Sequence, residues 1–312
     1  MKKICIIGSI NVDLIGKAKR FPMPGEAVKA KSFGQHPGGK GANQAVAIGK
    51  LGLDVCLIGK VGQDSYGDFI LNSLNQNGVK TDYIFRDRHV NTGISLIYIN
   101  EAGENCIVNY RGANDKIKPD EIDRVSEVIK SSDIILLQLE IPYRTNLKII
   151  QEFSNDDRMI ILDPAPFSDM SDDMFSKVAI MTPNKVEMGQ LTGITINDEE
   201  DSLKASRILQ QKGVETVINK LGEMGAFLLN KDFSGLIGAF DIKSVNSVGA
   251  GDAFNGGLAY GLSKGNNIYK SALIGNLVAA LSVSKDGVQE SMPSKKELVD
   301  FIKDNSIKDL VI

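Results

Sequence analysis

Histidine and cysteine are scarce in this sequence and basic residues never cluster, and each shortage removes a class of function. Only two histidines occur, His36 and His89, which excludes a His-rich zinc site and leaves little room for a Ser-His-Asp triad. The three cysteines, Cys5, Cys56 and Cys106, are odd in number and far apart, each in an apolar strand-like segment. A disulfide framework or a metal site would show paired spacing, so these read as buried free thiols in a reducing cytosol. The net charge is -3 and no dense Lys/Arg run is present. That is not the electrostatic footprint of a nucleic-acid binder, and any anion binding must be local. No apolar run approaches the length needed to span a bilayer. The opening "MKKICIIGSINVD" has four apolar residues before Gly8 and no small-residue cleavage site, and reads as a first β-strand of a cytoplasmic protein rather than a signal peptide. Internal repeats, low-complexity tracts and Pro/Ser-rich linkers are missing too. With no visible boundary, residues 1–312 read as a single domain.

What is present is alternation. Strand-like runs such as "KICIIG", "DVCLIGKVG", "DIILLQLE", "RMIILDP", "VAIMTPN" and "TVINKLG" are each followed by a helix-like run, among them 41–51 and 65–77. Short β-branched strands alternating with amphipathic helices predict an α/β fold with a parallel sheet covered on both faces, and a site at the C-terminal ends of its strands. Two segments break the rhythm, about 11–35 and 92–112, the second a hairpin turning at "NEAGEN". They predict a small added sheet, which could be a lid that excludes water, an edge extension or a dimerisation surface.

Each glycine cluster has a functional and a plainer reading. "GQHPGGKG" nearly matches the phosphate-binding pattern G-x-x-x-x-G-K-[ST], but Gly41 stands where a magnesium-binding hydroxyl belongs and Pro37 removes a backbone donor. What remains is a glycine pair feeding a helix that displays Lys40 and Asn43 in its first turn, as ligand contacts or as simple caps. No G-x-G-x-x-G follows the first strand, which disfavours a dinucleotide site. Asn11 and Asp13 lie two apart there, facing the same way in an extended segment, and suit a polyol or an ordinary Asx-turn. Asn184 and Glu187, three apart at a helix start, suit a hydrated magnesium ion or a capping box. In "SVNSVGAGDAFNGG" the only charged side chain is Asp252, and Phe254, Leu258 and Leu262 recur on one helical face after it. Gly249, Ala250 and Gly251 therefore sit at a helix N-terminus, where unpaired N–H groups attract phosphate. A carboxylate beside such a cradle repels the anion, and the economical role for it is a base.

Together these segments resemble the ribokinase-like (PfkB) family of carbohydrate kinases over nearly the whole chain. The likeness rests on "GSINVD", "PMPGE", "GGKGANQA", "GENCIVNYRGAN", "LLQLE", "LDPAP", "TPNKVE", "KLGEMGA" and above all "VGAGDAFNGG". It implies a three-layer α/β/α fold with a mostly parallel central sheet plus a small β-sheet lid, and an ATP- and magnesium-dependent sugar kinase. By the resemblance, Asp252 would take the proton of the sugar's primary hydroxyl as that oxygen attacks the γ-phosphate, with Gly249, Ala250 and Gly251 as the anion hole. Sugar hydroxyls would be held by Asn11, Asp13, Gly39, Lys40, Asn43 and Glu140. Asn184 and Glu187 match positions that organise magnesium through water, and Asn184, Lys220, Gly222, Gly251 and Asn276 fall where the family contacts ATP. The lid often also forms a dimer clasp, so a homodimer is expected beside ATP and a small sugar.

One departure bears on cations. The family's ribose-acting members usually carry Asp-Thr ahead of the anion hole, the aspartate helping to hold a potassium ion; here the pair is Asn246-Ser247, which leaves potassium activation open. "VNSVGAGD" looks like the phosphofructokinase branch, while "GSINVD", "GGKGANQA" and "YRGAN" look like the ribose-acting branch. A phosphosugar would want more basic residues at the acceptor than Lys40 and Arg111. The expected reaction is phosphorylation of D-ribose on its 5-hydroxyl, with deoxyribose, fructose, a phosphosugar or a nucleoside as alternatives. A non-catalytic sugar-binding regulator would be expected to lose the base or the glycines, and this chain keeps both.

Overall fold

The computed structural model describes every residue except Asp156 and Ser306. Its first strand, Ile4–Ile7, shows how the main sheet is built: Ile4 and Ile6 enter the core on one face, Cys5 and Ile7 the core on the other. Val55–Gly62 divides the same way, Val55 and Leu57 against Cys56 and Ile58, as does Ile134–Gln138, Ile134 and Leu136 against Ile135 and Leu137. Strands apolar on both sides need helices on both faces. Lys40–Lys50, Ala250–Ser263 and Ile268–Val283 cover one face; Tyr143–Phe153 and Glu199–Gln211 cover the other through Ile149, Ile150, Phe153, Ala205 and Leu209.

The strand order is Ser234–Ile237, Ala226–Leu229, Thr216–Lys220, Ile180–Met181, Met159–Asp163, Ile134–Gln138, Ile4–Ile7, Val55–Gly62, Val79–Lys80, with Ile84–Asp87 also paired to Val55–Gly62. All pairings are parallel except those of Ala226–Leu229 with its two neighbours. That antiparallel edge corrects the expectation of a helix after "TVINKLG". Gly222 and Gly225 adopt φ 65° and 90°, the left-handed side that ends a helical turn, and the wholly buried run Ala226–Leu229 completes a hairpin instead.

The two irregular segments form a separate sheet in the order Ala30–Gly38, Asn11–Ala18, Gly93–Ile99, Asn105–Tyr110. The hairpin turns where expected, while the first segment runs on to Gly38, three residues past the expected 35. Asn11–Ala18 and Gly93–Ile99 pair in parallel with Asp13 opposite Ser95, so these two side chains share the face toward the main body. Phe33, Leu96, Tyr98, Val108 and Tyr110 share the opposite face and are exposed.

The cysteine expectation holds for two of three. Cys5 and Cys56 are buried on neighbouring strands with their Sγ atoms 3.4 Å apart, whereas Cys106 is exposed on the small sheet, whose edge strand lacks a covering layer. Among the described residues no helix is long and apolar enough to cross a membrane.

Candidate active site

The strands of the main sheet deliver their polar residues at one end. Gln138, Asp163 and Lys220 are the last residues of their strands, and Glu140 and Asn184 follow closely. Loops and side chains at this end enclose a cavity of about 860 Å³. Every residue assigned to the nucleotide from sequence lines it: Asn184, Lys220, Gly222, Gly251 and Asn276. So do Lys40, Glu187, Ser247, Gly249, Ala250 and Asp252.

The helix Ala250–Ser263 starts at Gly249, with φ 80° and no side-chain cap. A Cβ there would be strained and would lie 2.7 Å from Val288 Cγ1, so only glycine makes this turn without distortion. The uncapped first turn leaves N–H groups and the positive end of the helix dipole facing the cavity. Asp252, in that turn, is buried and held on both oxygens: Asn43 Nδ2 donates to Oδ2 at 2.9 Å and Gln44 Nε2 to Oδ1 at 3.1 Å. Burial raises its pKa; the Lys40 ammonium works the other way, and Asp163 raises it further. The result is a carboxylate with more proton affinity than an exposed one, yet anchored by donors.

Lys40 occupies the centre of the charge arrangement. Burial works against its ammonium, but Asp252, Asp163, Glu140 and Glu187 together hold its pKa above the ordinary lysine value. Across the cavity Lys220 Nζ pairs with Asp163 Oδ1 at 2.8 Å.

The residues assigned to a sugar gather between the small sheet and this cavity. Asn11, Asp13 and Asn43 are buried. Gly39, at φ 90°, presses so close to the start of the strand Asn11–Ala18 that a Cβ would lie 2.7 Å from Asn11 N. Glu140 accepts from Ser9 Oγ and, at 3.3 Å, from Lys40 N. Asn114 Nδ2 donates to Asn11 Oδ1 at 2.7 Å, so the oxygen of the Asn11 amide is engaged within the fold. The Asp13 carboxyl is raised to about 6, first by burial; the neighbouring Ser95 hydroxyl opposes this and the Glu140 charge adds to it. Asn43 differs from a plain sugar ligand, since one of its N–H groups donates to Asp252 and its Oδ1 accepts from Gln289 Nε2 at 3.0 Å.

Asn184 and Glu187 form a full capping box: Asn184 Oδ1 accepts from Glu187 N at 2.9 Å and Glu187 Oε2 from Asn184 N at 2.8 Å. Cap and ligand readings coexist, because each oxygen keeps a lone pair for a water. Burial raises the Glu187 pKa, Lys220 lowers it and Asp163 raises it, so a cation nearby would be stabilising. Two oxygen donors of this kind fit a magnesium ion that retains its own waters. Asn246 forms a tight turn, its Oδ1 accepting from Val248 N at 3.0 Å while Nδ2 reaches Asp286 Oδ1 at 3.4 Å. Ser9, Asn114 and Asp163 were missed from sequence, although each stood in a segment already marked, "GSINVD", "YRGAN" and "LDPAP" in turn.

The sequence pattern of the family described as pfkB family carbohydrate kinase matches residues 1–295. The chain is 36% identical to a ribokinase of Bacillus subtilis over 302 residues, 97% of this chain and 100% of that one. It is 33% identical to a deoxyribokinase of Salmonella typhi, over 97% of this chain and 99% of that one. It also superimposes on the structure of an Arabidopsis thaliana ribokinase complexed with ribose and ATP, with TM-score 0.92, 28% identity and coverage of 97% and 99%.

Proposed function

Because the chain belongs to the pfkB family of carbohydrate kinases, we propose that it transfers the γ-phosphoryl group of ATP to the 5-hydroxyl of D-ribose, giving D-ribose 5-phosphate and ADP. The observation that carries this reading is Asp252: a buried, doubly anchored carboxylate in the first turn of an uncapped helix whose N-terminus opens on the cavity that Lys220 and Asn276 line. Full-length similarity to ribokinases supports the choice of acceptor.

In this mechanism Asp252 takes the proton of the attacking hydroxyl. The N–H groups of Gly249, Ala250 and Gly251 meet the charge that develops on the transferring group, worth about 3 to 4 kcal/mol per donor where measured. Asn11, Asp13, Gly39, Lys40, Asn43 and Glu140 place the sugar, and Lys220, Gly222, Asn184 and Asn276 place ATP. Much of the acceleration comes from this alignment, since phosphoryl transfer asks for positioning and electrostatics more than covalent chemistry. Asn184 and Glu187 would hold a hydrated magnesium ion, which when bound neutralises phosphate charge. A potassium ion, if used, would draw its negative charge from Asp286 beside Asn246 rather than from residue 246 itself. We further propose one catalytic domain spanning 1–312, located in the cytoplasm, and a homodimer joined through the exposed face of the small sheet.

A second acceptor is favoured by a specific observation, the deoxyribokinase similarity. ADP release from magnesium ATP, measured across D-ribose, 2-deoxyribose, fructose, fructose 6-phosphate and adenosine, each with and without potassium, separates the readings. Highest kcat/KM for ribose is expected. Highest kcat/KM for any other acceptor would overturn the choice of ribose while leaving a sugar or nucleoside kinase in place.

A further inference from the structure

Two buried amides, Gln44 and Gln138, lie behind Asp252, the first of them one of its two anchors. They are 1% and 0% exposed. Gln44 follows Asn43 in the first turn of Lys40–Lys50, and its Nε2 donates in two directions: to Asp252 Oδ1 at 3.1 Å and to Asp163 Oδ2 at 3.1 Å. The other Asp163 oxygen accepts from Lys220 Nζ at 2.8 Å. One NH₂ group therefore bridges the carboxylate on the acceptor side and the carboxylate that holds the nucleotide-side lysine. Rotated by half a turn, the same amide would present its oxygen to both carboxylates, with two buried acceptors left facing a third. Gln138 supports the observed orientation, its Nε2 donating to Gln44 Oε1 at 2.7 Å. Gln138 in turn is packed against Gly8, where a Cβ would lie 2.0 Å from Gln138 Oε1.

The chemistry suits a neutral bridge. Lys40, Asp163 and, farther along the cavity wall, Lys220 and Glu187 are the charged groups that face Asp252 from the elements around it, with Asp13 on the lid side. Lys40 favours the ionised form of Asp252 and Asp163 disfavours it. Donating one hydrogen to each carboxylate relieves their repulsion. A second ammonium in that place would do so as well, but it would also strip Asp252 of the proton affinity that a base requires.

We propose that Gln44 is a positioning residue for phosphoryl transfer: its amide, oriented by Gln138, fixes the Asp252 carboxylate in its working orientation and ionised form and ties it to the Asp163–Lys220 pair. This rests on the reading of Asp252 as the base. Removing a donor to an ionised carboxylate raises its pKa, and the base must be ionised to act, so the acid limb of kcat, read at saturating ribose where the binding effect of Asp13 drops out, moves to higher pH.

The test uses the full chain with ribose and magnesium ATP. Gln44→Met keeps the volume and removes both N–H groups. It is expected to lower kcat by on the order of 10- to 100-fold, keep KM for ribose within about twofold, and shift the acid limb up by about one pH unit. Gln138→Met should move the limb the same way by less, and the double variant should be no worse than Gln44→Met. A folded Gln44→Met with an unmoved acid limb overturns the proposal, as does a loss expressed in KM alone. Should Gln44→Met lack a cooperative melting transition, Gln138→Met decides by the same criterion. Asp252→Asn is run in parallel: wild-type kcat there overturns the base reading and this proposal with it, whereas a large loss with unmoved limbs in the glutamine variants overturns this proposal alone.

Discussion

Asp13 carries opposed demands of folding and binding. Its carboxyl is raised from the ordinary 3.8 to about 6 in the fold, because burial and the Glu140 charge favour the neutral acid. Between those values the native state binds more protons than the unfolded chain, so this group stabilises at low pH, and the stabilisation is lost as pH rises through about 6. At neutral pH the ionised Asp13 is a cost to folding, and a cost that supplies an acceptor for sugar hydroxyls. Asp13→Asn should therefore raise stability at neutral pH by on the order of 1–3 kcal/mol and raise KM for ribose at least about tenfold. Thermal melts and KM of both forms at neutral and acidic pH check this, and wild-type KM should climb as pH falls through about 6. An Asp13→Asn variant with unchanged KM would remove Asp13 from the sugar site. The same scale shows why parts of the site were illegible in sequence. Asn11, Asp13 and Asp252 sit in local patterns that announce a strand end or a helix start. Gln44 and Gln138 do not, because their roles come from partners up to 208 residues away. Nothing within one turn or one strand encodes such a contact.

At the scale of elements, the parallel core was legible because strands buried on both faces read as unbroken apolar runs between amphipathic helices. The edge hairpin Ala226–Leu229 with Ser234–Ile237 was not, since a short buried apolar run looks the same before a helix as before a returning strand. The small sheet was legible as a hairpin and an irregular segment, yet only pairing shows which residues share its faces. One face carries Asp13 and Ser95 toward the site. The other exposes Tyr98 at 46%, Val108 at 57% and Tyr110 at 50%, contiguous across two strands. Scattered apolar residues on a surface are ordinary, but a connected row on an uncovered sheet calls for a partner. Val108→Asp should leave the fold intact, since the side chain is already exposed, and convert a dimer to a monomer. Sedimentation equilibrium of both forms reads this directly; a wild-type chain that is monomeric at all accessible concentrations would rule out the proposed dimer surface.

At the scale of the whole molecule, two glycine-rich signatures from opposite ends of the chain become one site. The helices Lys40–Lys50 and Ala250–Ser263 approach so closely that a Cβ on Gly256 would lie 2.5 Å from Ala47 Cβ and 3.3 Å from the Gln44 carbonyl oxygen. This close packing is what brings the first turns of both helices together, placing Asn43 and Gln44 on Asp252. Around that junction lie the lid side with its sugar-directed polar groups and the cavity with Lys220 and Asn276. The arrangement gives Asp252 a central place in the chemistry, and the most direct test is Asp252→Asn. A positioned base contributes about 10²- to 10⁴-fold. ADP release from magnesium ATP and ribose should fall at least about a hundredfold in kcat, while ribose affinity by direct binding stays within a few-fold. A variant that keeps its wild-type kcat would contradict the account at its centre.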